Sequence, residues 1–197
     1  MADIRRAVPQ DDAGIRRVLL EAFGDQGPGL VDLVGVLGRH PSGRDHLSFV
    51  AVDGDEILGH ALVTRSRLDT FRALIDVAQL APLSVRPDAQ GCGIGAALLA
   101  RAVAEAEAAG FPVIFLEGDP AYYGRLGWVP GKPLGFRKPS MRTPDAAFQC
   151  IRLAGFEDWM TGTLLYAEPF WEADAVGLRS PEFLAWLADE VAAGREW

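Results

Sequence analysis

The residues with the most chemical promise are Gly91, Gly93 and Gly95, preceded by Gln90 and followed by Ala96 and Ala97. Glycine carries no Cβ, so a loop built from it lets a ligand approach the backbone amides directly. The Ala- and Leu-rich run from Ile94 to Ala109 predicts a helix. The start of a helix leaves N–H groups unpaired and partially positive. Glycine loop and helix start together form a cradle for a phosphate or pyrophosphate. Three readings compete for it. A Walker loop requires Gly-Lys-Ser/Thr at the helix start, and no lysine stands there. A dinucleotide loop requires G-x-G-x-x-G after the first strand of its unit, with an acid about twenty residues on. Here the spacing is G-x-G-x-G and lies mid-chain, although Glu117 ends the next strand in the corresponding place. The third reading is a turn that only packs helix against strand.

The elements that must hold this loop follow from the surrounding pattern. Leu74 to Val85 reads as a strand interrupted at Pro82, leading into the breaker Arg86-Pro87-Asp88. Beyond the helix, Gly110 is a C-terminal stop, and Phe111 to Glu117 is a continuous apolar run expected of a strand covered on both faces. Asp119 and Pro120 are the cap and first residue of a short helix through Arg125, closed by Gly127-Trp128.

Upstream, Asp3 to Pro9 predicts a strand. A helix follows, capped by Asp11 or Asp12, with Ile15, Val18, Leu19, Ala22 and Phe23 on its apolar face. A loop over 24–29 leads to a second helix bearing Leu30, Leu33, Val34 and Leu37 and ended by Gly38; residues 39–46 are turn-rich. Leu47–Val52 and Ile57–Arg67 form a hairpin around Asp53-Gly54-Asp55-Glu56, with Gly59 marking a bulge or close contact. Downstream, Pro130, Pro133, Pro139 and Pro144 punctuate the chain. Strands are expected at Ala147–Leu153 and Thr163–Tyr166. Ser180 caps a last helix over 181–193, with Phe183, Leu184, Leu187 and Val191 on one face.

Composition bounds the function. The 197 residues are 49% hydrophobic and 23% charged, which suits a globular α/β domain with a tail. The net charge of −8 disfavours nucleic acid and anionic membranes, whose phosphates need clustered Lys and Arg. It is compatible with an amine substrate. Cys92 and Cys150 have neither a disulfide framework nor zinc-site spacing, and His40, His46 and His60 show no metal spacing. Met-Ala-Asp-Ile-Arg-Arg lacks the apolar region of a signal peptide, and no apolar run spans a bilayer, so a cytoplasmic protein is expected.

Gln90-Gly91-Cys92-Gly93-Ile94-Gly95 fits Gln/Arg-x-x-Gly-x-Gly/Ala. This pattern resembles the acetyl-coenzyme A loop of the GCN5-related N-acetyltransferases (GNAT). Leu83-Ser84-Val85-Arg86-Pro87 is similar to the strand that enters that loop. Val113-Ile-Phe-Leu-Glu-Gly-Asp-Pro-Ala-Tyr-Tyr-Gly-Arg-Leu-Gly-Trp128 is similar to the family's closing Tyr-x-x-x-Gly-Phe block, with Trp128 as the aromatic. The variant resembles a bacterial branch of predicted acetyltransferases, and the likeness covers roughly residues 3–153. It implies an α/β (α+β) fold: a mixed, mostly antiparallel sheet splayed at its central strands and flanked by helices. It also implies a catalytic domain over 1–153, with 154–197 as an extension packed on it.

The resemblance implies acetyl-CoA as acyl donor and a small-molecule amine or peptide as acceptor, in a monomer or homodimer without metal. The amides from Gln90 through Gly91, Cys92, Gly93, Ile94 and Gly95 to Ala96 would surround the pyrophosphate. Leu83, Ser84 and Val85 would meet the pantetheine arm, Leu83 also offering its N–H to the oxyanion. Cys92 reads as a tolerated small residue. Pro82 would splay its strand from the next and admit the acyl arm. Tyr123, four residues before Gly127, stands where the family's motif places the acid that protonates the departing thiolate; Tyr122 reads as a core aromatic. Glu117, Asp119, Glu21, His60 and a bound water remain open as base. Phe23, Phe71, Phe136, Phe148, Trp159 and Tyr166 are available to line the acceptor side. An acyl-CoA-binding module without chemistry, and a dinucleotide oxidoreductase, are the alternatives.

Overall fold

Two long strands carry the architecture. The computed structural model describes residues 2–39, 46–177 and 181–194, with the side chains of 181–183, 187 and 190–191 outside that description. β1 (Asp3–Arg6), β2 (Leu47–Asp53), β3 (Glu56–Thr70) and β4 (Leu74–Val85) form an antiparallel meander. β5 (Val113–Glu117) lies parallel to β4. β6 (Val129–Pro130), β7 (Phe136–Arg137), β8 (Phe148–Arg152) and β9 (Gly162–Leu165) complete the sheet, whose main path runs β1-β2-β3-β4-β5-β8-β6. β9 pairs with β7 and with the far half of β3, beyond the reach of β2. This is the mixed, mostly antiparallel sheet anticipated from the resemblance.

Helices cover both faces. α3 (Ile94–Ala108) lays Leu98, Leu99, Ala102 and Ala106 on Phe49, Ala61, Ile114 and Leu116. Each such Leu, moved fully out of water, contributes roughly 1.5–3 kcal/mol, and the alanines let the helix sit close. On the opposite face, α1 (Asp12–Phe23) packs on Val50 and Ile57. α2 (Gly27–Arg39) and α5 (Glu168–Glu172) close over Leu62, Leu68, Val77 and Phe115. Tyr166, Phe170 and Val176 belong to that same core cluster. α4 (Pro120–Tyr123) follows β5, and α6 (Pro181–Ala192) presents exposed Leu184 and Trp186. Among the described residues, no helix is long and apolar enough to cross a membrane.

Several local expectations are corrected. β1 stops at Arg6, because Pro9 begins a 3-10 turn. Asp11 does not cap α1. Its carboxylate turns back to accept the Val8 N–H at 2.8 Å and the Arg5 guanidinium at 2.6 and 2.8 Å, and these bonds hold its pKa below the usual carboxylate value. The loop foreseen over 24–29 is a 3-10 turn running into α2, with Pro28 in the first turn of that helix, where a missing N–H costs nothing. Gly38 lies inside α2, and Arg39 is its last residue. The remaining stretch read as turn-rich, 40–45, and the Ser180 cap fall outside the described residues, as do the side chains of Phe183, Leu187 and Val191.

Candidate active site

The site begins where β4 loses a neighbour. Its pairing with β5 is confined to Ala78 with Ile114 and Gln79 with Phe115. On the β3 side the register shifts between Ala61 and Val63, so that Ala81 and Pro82 together face Leu62. A proline cannot donate to the ladder, and an additional residue bends the strand. Past this bulge β4 runs unpaired on the β5 side. The Arg86 N–H donates to the Leu58 carbonyl at 2.9 Å. Strand alternation therefore turns the amide groups of Leu83 and Val85 toward the gap. The Val85 carbonyl there accepts the Gln90 side-chain amide at 3.1 Å.

The glycine loop follows. Gly91 and Gly93 hold φ of 76° and 82°, left-handed backbone that costs other residues roughly 1–2 kcal/mol each. α3 then starts at Ile94 without a side-chain cap and without an acid in its first turn. Ala97 N–H already bonds Gly93 O at 3.0 Å, which leaves the amides before it for a ligand. They face a cleft of about 690 Å³. Every expected cofactor residue lines it except Ser84 and Cys92. The Ser84 side chain is buried and donates to the His60 carbonyl at 3.3 Å; Cys92 is exposed in the loop, its Sγ 3.6 Å from Gln90 O.

α4 and the turn after it build the facing wall from Tyr122, Tyr123, Arg125 and Leu126. A Cβ on Gly95 would stand 2.6 Å from the Tyr122 hydroxyl, so this helix closes directly on the glycine loop. Arg86 is occupied by Asp88 at 2.6 Å and Glu56 at 2.9 Å. Arg125 is the guanidinium on the cleft wall. Tyr122, Arg125 and Leu126 were not foreseen as lining residues, although their helical spacing within the closing motif puts them on one side of a turn.

Asp119 accepts the Ala121 N–H at 2.8 Å and fixes the start of α4. This sets the Tyr123 ring over Gly118, where any Cβ would overlap it. Tyr122 and Trp128 meet that ring edge-on at 5.0 and 6.2 Å. Burial pushes the Tyr123 phenol up to about 12, with Tyr122 and Asp119 acting in the same direction.

A second cleft, of about 530 Å³, opens on the other side of Tyr123. The α1–α2 corner gives it Phe23, Gln26 and Leu30, the β4 bulge gives Gln79 to Leu83, and the chain after β9 gives Tyr166, Phe170 and Asp174. Leu83 and Tyr123 line both clefts. Of the open base candidates, Glu117 lines this second cleft, and the Tyr166 hydroxyl donates to its Oε1 at 2.5 Å. Burial, reinforced by the Glu117 charge, holds Tyr166 well above its usual pKa.

The other candidates lie elsewhere. Asp119 is spent as a cap, and Glu21 is exposed outside both clefts. His60 is fully buried, bonded through Nε2 to Ser48 Oγ at 2.9 Å, and lines a separate cavity beneath α1 and α2. Burial, with a smaller push from His46, lowers its pKa to about 4. Of the aromatics expected on the acceptor side, Phe23 and Tyr166 line the cleft. Phe136 and Phe148 are core. Phe71 is exposed at the β3–β4 turn, where it and Trp159 bracket the Arg72 guanidinium at 5.2 and 5.3 Å. Phe170 and Asp174 were not foreseen, and no sequence spacing ties them to the loop.

Comparison with known proteins adds independent findings. A sequence model described as an acetyltransferase (GNAT) domain matches residues 44–130. The chain is 35% identical over 123 residues to YjhQ of Escherichia coli strain K12, an uncharacterized N-acetyltransferase. That match takes in 61% of this chain and 65% of the length of that curated relative. Among solved structures, YhbS from Escherichia coli, a GNAT family N-acetyltransferase in complex with CoA, superposes with a TM-score of 0.74 at 28% identity. The superposition covers 86% of this chain and 91% of that one. A GNAT family acetyltransferase from Brucella melitensis in complex with acetyl-CoA gives 0.68 at 29% identity, covering 86% and 98% respectively.

Proposed function

The chain belongs to the GNAT acetyltransferase family, and from that premise we propose that it moves an acetyl group from acetyl-CoA to a primary amine by direct attack, with Tyr123 serving the departing thiolate. The observation that carries this reading is the position of Leu83 and Tyr123, which line the glycine-loop cleft and the second cleft alike. A group passed from one cleft to the other must pass between them.

The residues fit the coenzyme. Uncapped amides of α3 and the loop from Gln90 to Ala96 suit its pyrophosphate, with Arg125 as counter-charge. The open amide edge of Leu83 and Val85 pairs with an amide-bearing arm as an added strand would. The relatives solved with CoA and acetyl-CoA support the same ligand.

The chemistry divides among three groups. The Leu83 N–H, turned into the gap, holds the oxyanion that forms as the amine attacks the thioester carbonyl. Glu117, steadied by Tyr166, takes the proton the amine must lose, directly or through a water. Tyr123 donates to the leaving sulfur. With its pKa raised to about 12, against about 8.5 for an ordinary thiol, full transfer from the phenol is uphill by roughly 5 kcal/mol. Tyr123 therefore acts first as a hydrogen-bond donor to the sulfur as the C–S bond breaks. The proton released from the amine restores the balance, leaving an amide and a free thiol.

Replacing Tyr123 with Phe tests this assignment. Turnover is expected to fall about a hundredfold or more, while acetyl-CoA still binds by calorimetry. Full activity in Tyr123→Phe would remove the phenol from the mechanism.

A further inference from the structure

One polar side chain of the second cleft takes no part in the transfer step. Gln79 is the last residue of β4 that pairs with β5, opposite Phe115, so it sits at the inner end of the gap between those strands. It lines the second cleft and is 1% exposed. Its Oε1 accepts the Ser66 hydroxyl at 2.7 Å. Ser66 stands opposite Val77, two residues back toward the start of β4. With Oε1 turned back to Ser66, Nε2 on the other side of the carboxamide is turned forward, toward the Pro82 bulge. Among the described residues that Nε2 is buried without a hydrogen-bond partner. Buried donors are nearly always paired, because an unpaired one has given up its water with nothing in return.

We propose that Gln79 selects the acceptor: the amine carries, several bonds from its nitrogen, a hydroxyl or carbonyl oxygen that receives the Gln79 Nε2–H. The proposal rests on the acetyl-transfer reading above, which puts the reacting nitrogen beside Leu83 and Tyr123. Gln79 lies four residues before Leu83 on β4. Four strand residues span about 13 Å, and the bulge and the reach of the side chain shorten the path. Nitrogen and oxygen therefore stand roughly four to seven bonds apart. Leu30, Ala81, Pro82 and Phe170 line the same cleft and give apolar surface to the chain that joins the two ends. A site built to hydrogen-bond an oxygen rejects the analogue that lacks it, because the buried donor is then left unpaired.

The test uses matched amines in which a terminal hydroxyl replaces a methyl: 3-amino-1-propanol with butylamine, 4-amino-1-butanol with pentylamine, 5-amino-1-pentanol with hexylamine, and 6-amino-1-hexanol with heptylamine. Thiol release from saturating acetyl-CoA gives kcat/KM, and calorimetry follows acetyl-CoA binding separately. In the unaltered protein at least one hydroxylated amine should exceed its methyl partner by about tenfold or more. An apolar cleft alone would give the opposite order, since the methyl buries better. Gln79→Leu, of similar bulk but without the donor, should bring that ratio to one or below while acetyl-CoA still binds. Ratios near one or below throughout the unaltered series would overturn the proposal and leave acetyl transfer intact. They would instead turn Nε2 to an internal water shared with Thr64, which stands opposite Gln79 and whose buried Oγ1 also lacks a partner among the described residues. A ratio that Gln79→Leu leaves unchanged would overturn it as well. The unaltered series decides by itself even where that variant does not fold. Failure to bind acetyl-CoA, or binding with no release from any amine, would sink the transfer reading and the proposal with it.

Discussion

The two clefts that meet at Tyr123 are built in opposite ways. The glycine-loop cleft, to which we assign the coenzyme, comes from two short stretches of chain, Leu83 to Ala96 and Tyr122 to Leu126. The groups it presents to a ligand are largely backbone amides, so what matters in its sequence is where side chains are missing. The second cleft, proposed for the acceptor, gathers the α1–α2 corner, the β4 bulge, the end of β5 and the segment after β9. The groups it presents are side chains, the hydrogen-bonded Glu117 and Tyr166 among them. A site made of local backbone can tolerate change around it as long as the loop keeps its shape. A site assembled from distant side chains can change its occupant by altering any one contributor. The same fold can thus keep its donor while its acceptor varies.

Substitutions at the shared residue should cost most. Tyr123→Phe is expected to lower kcat about a hundredfold or more with little change in acetyl-CoA affinity; a comparable loss of affinity would place Tyr123 in the coenzyme cleft alone. Glu117→Gln, confined to the proposed acceptor side, should lower kcat by about a hundredfold and leave the KM for acetyl-CoA unchanged. A rise in the KM for acetyl-CoA instead would contradict the separation of the clefts. Gly93→Val acts on the other side: at φ of 82° a β-branched residue is strained by roughly 1–2 kcal/mol or more. The KM for acetyl-CoA should rise about tenfold, equivalent to about 1.4 kcal/mol, with the KM for amine nearly unchanged.

The smallest kinetic effect is expected at His60, which lines neither cleft. Its folded-state pKa of about 4 lies below the ordinary 6.5. The unfolded chain therefore binds more protons between those values, and stability falls as pH drops through about 6.5 toward 4. From this residue alone the protein should be about 2 kcal/mol less stable at pH 5 than at pH 7.5. Urea titrations at both pH values would read the difference. His60→Asn should lack that part of the slope and keep its kcat within about twofold.

What could be read from the sequence follows the same division. The strand ending at Val85, the loop, α3 and the Asp119 cap all lie within a turn or two of the residues they position, so local spacing specified them. The break at Pro82 was also legible, because a proline in a strand demands a bulge or an edge. The acceptor side was not. Glu117 could not be separated from Asp119, Glu21 and His60 until β5, α4 and the sheet fixed which of them faces Tyr123. Phe170 and Asp174 reach the site only because β9 pairs with β3, a contact across most of the chain. Asp11 went astray for a related reason: Arg5, brought near by the sheet edge, offered its carboxylate a charged partner in place of the helix amides.

The central claim is that these clefts exchange an acetyl group at Tyr123. Its most direct test is amine-dependent thiol release: purified protein, acetyl-CoA and a panel of primary amines, with the acylated product measured beside the free thiol. The account predicts release that requires both protein and amine, one N-acetylated product per thiol, and loss of both in Tyr123→Phe. Acetyl-CoA that binds the glycine-loop cleft, yet yields no thiol with any amine, would contradict it and make the protein a coenzyme-binding module.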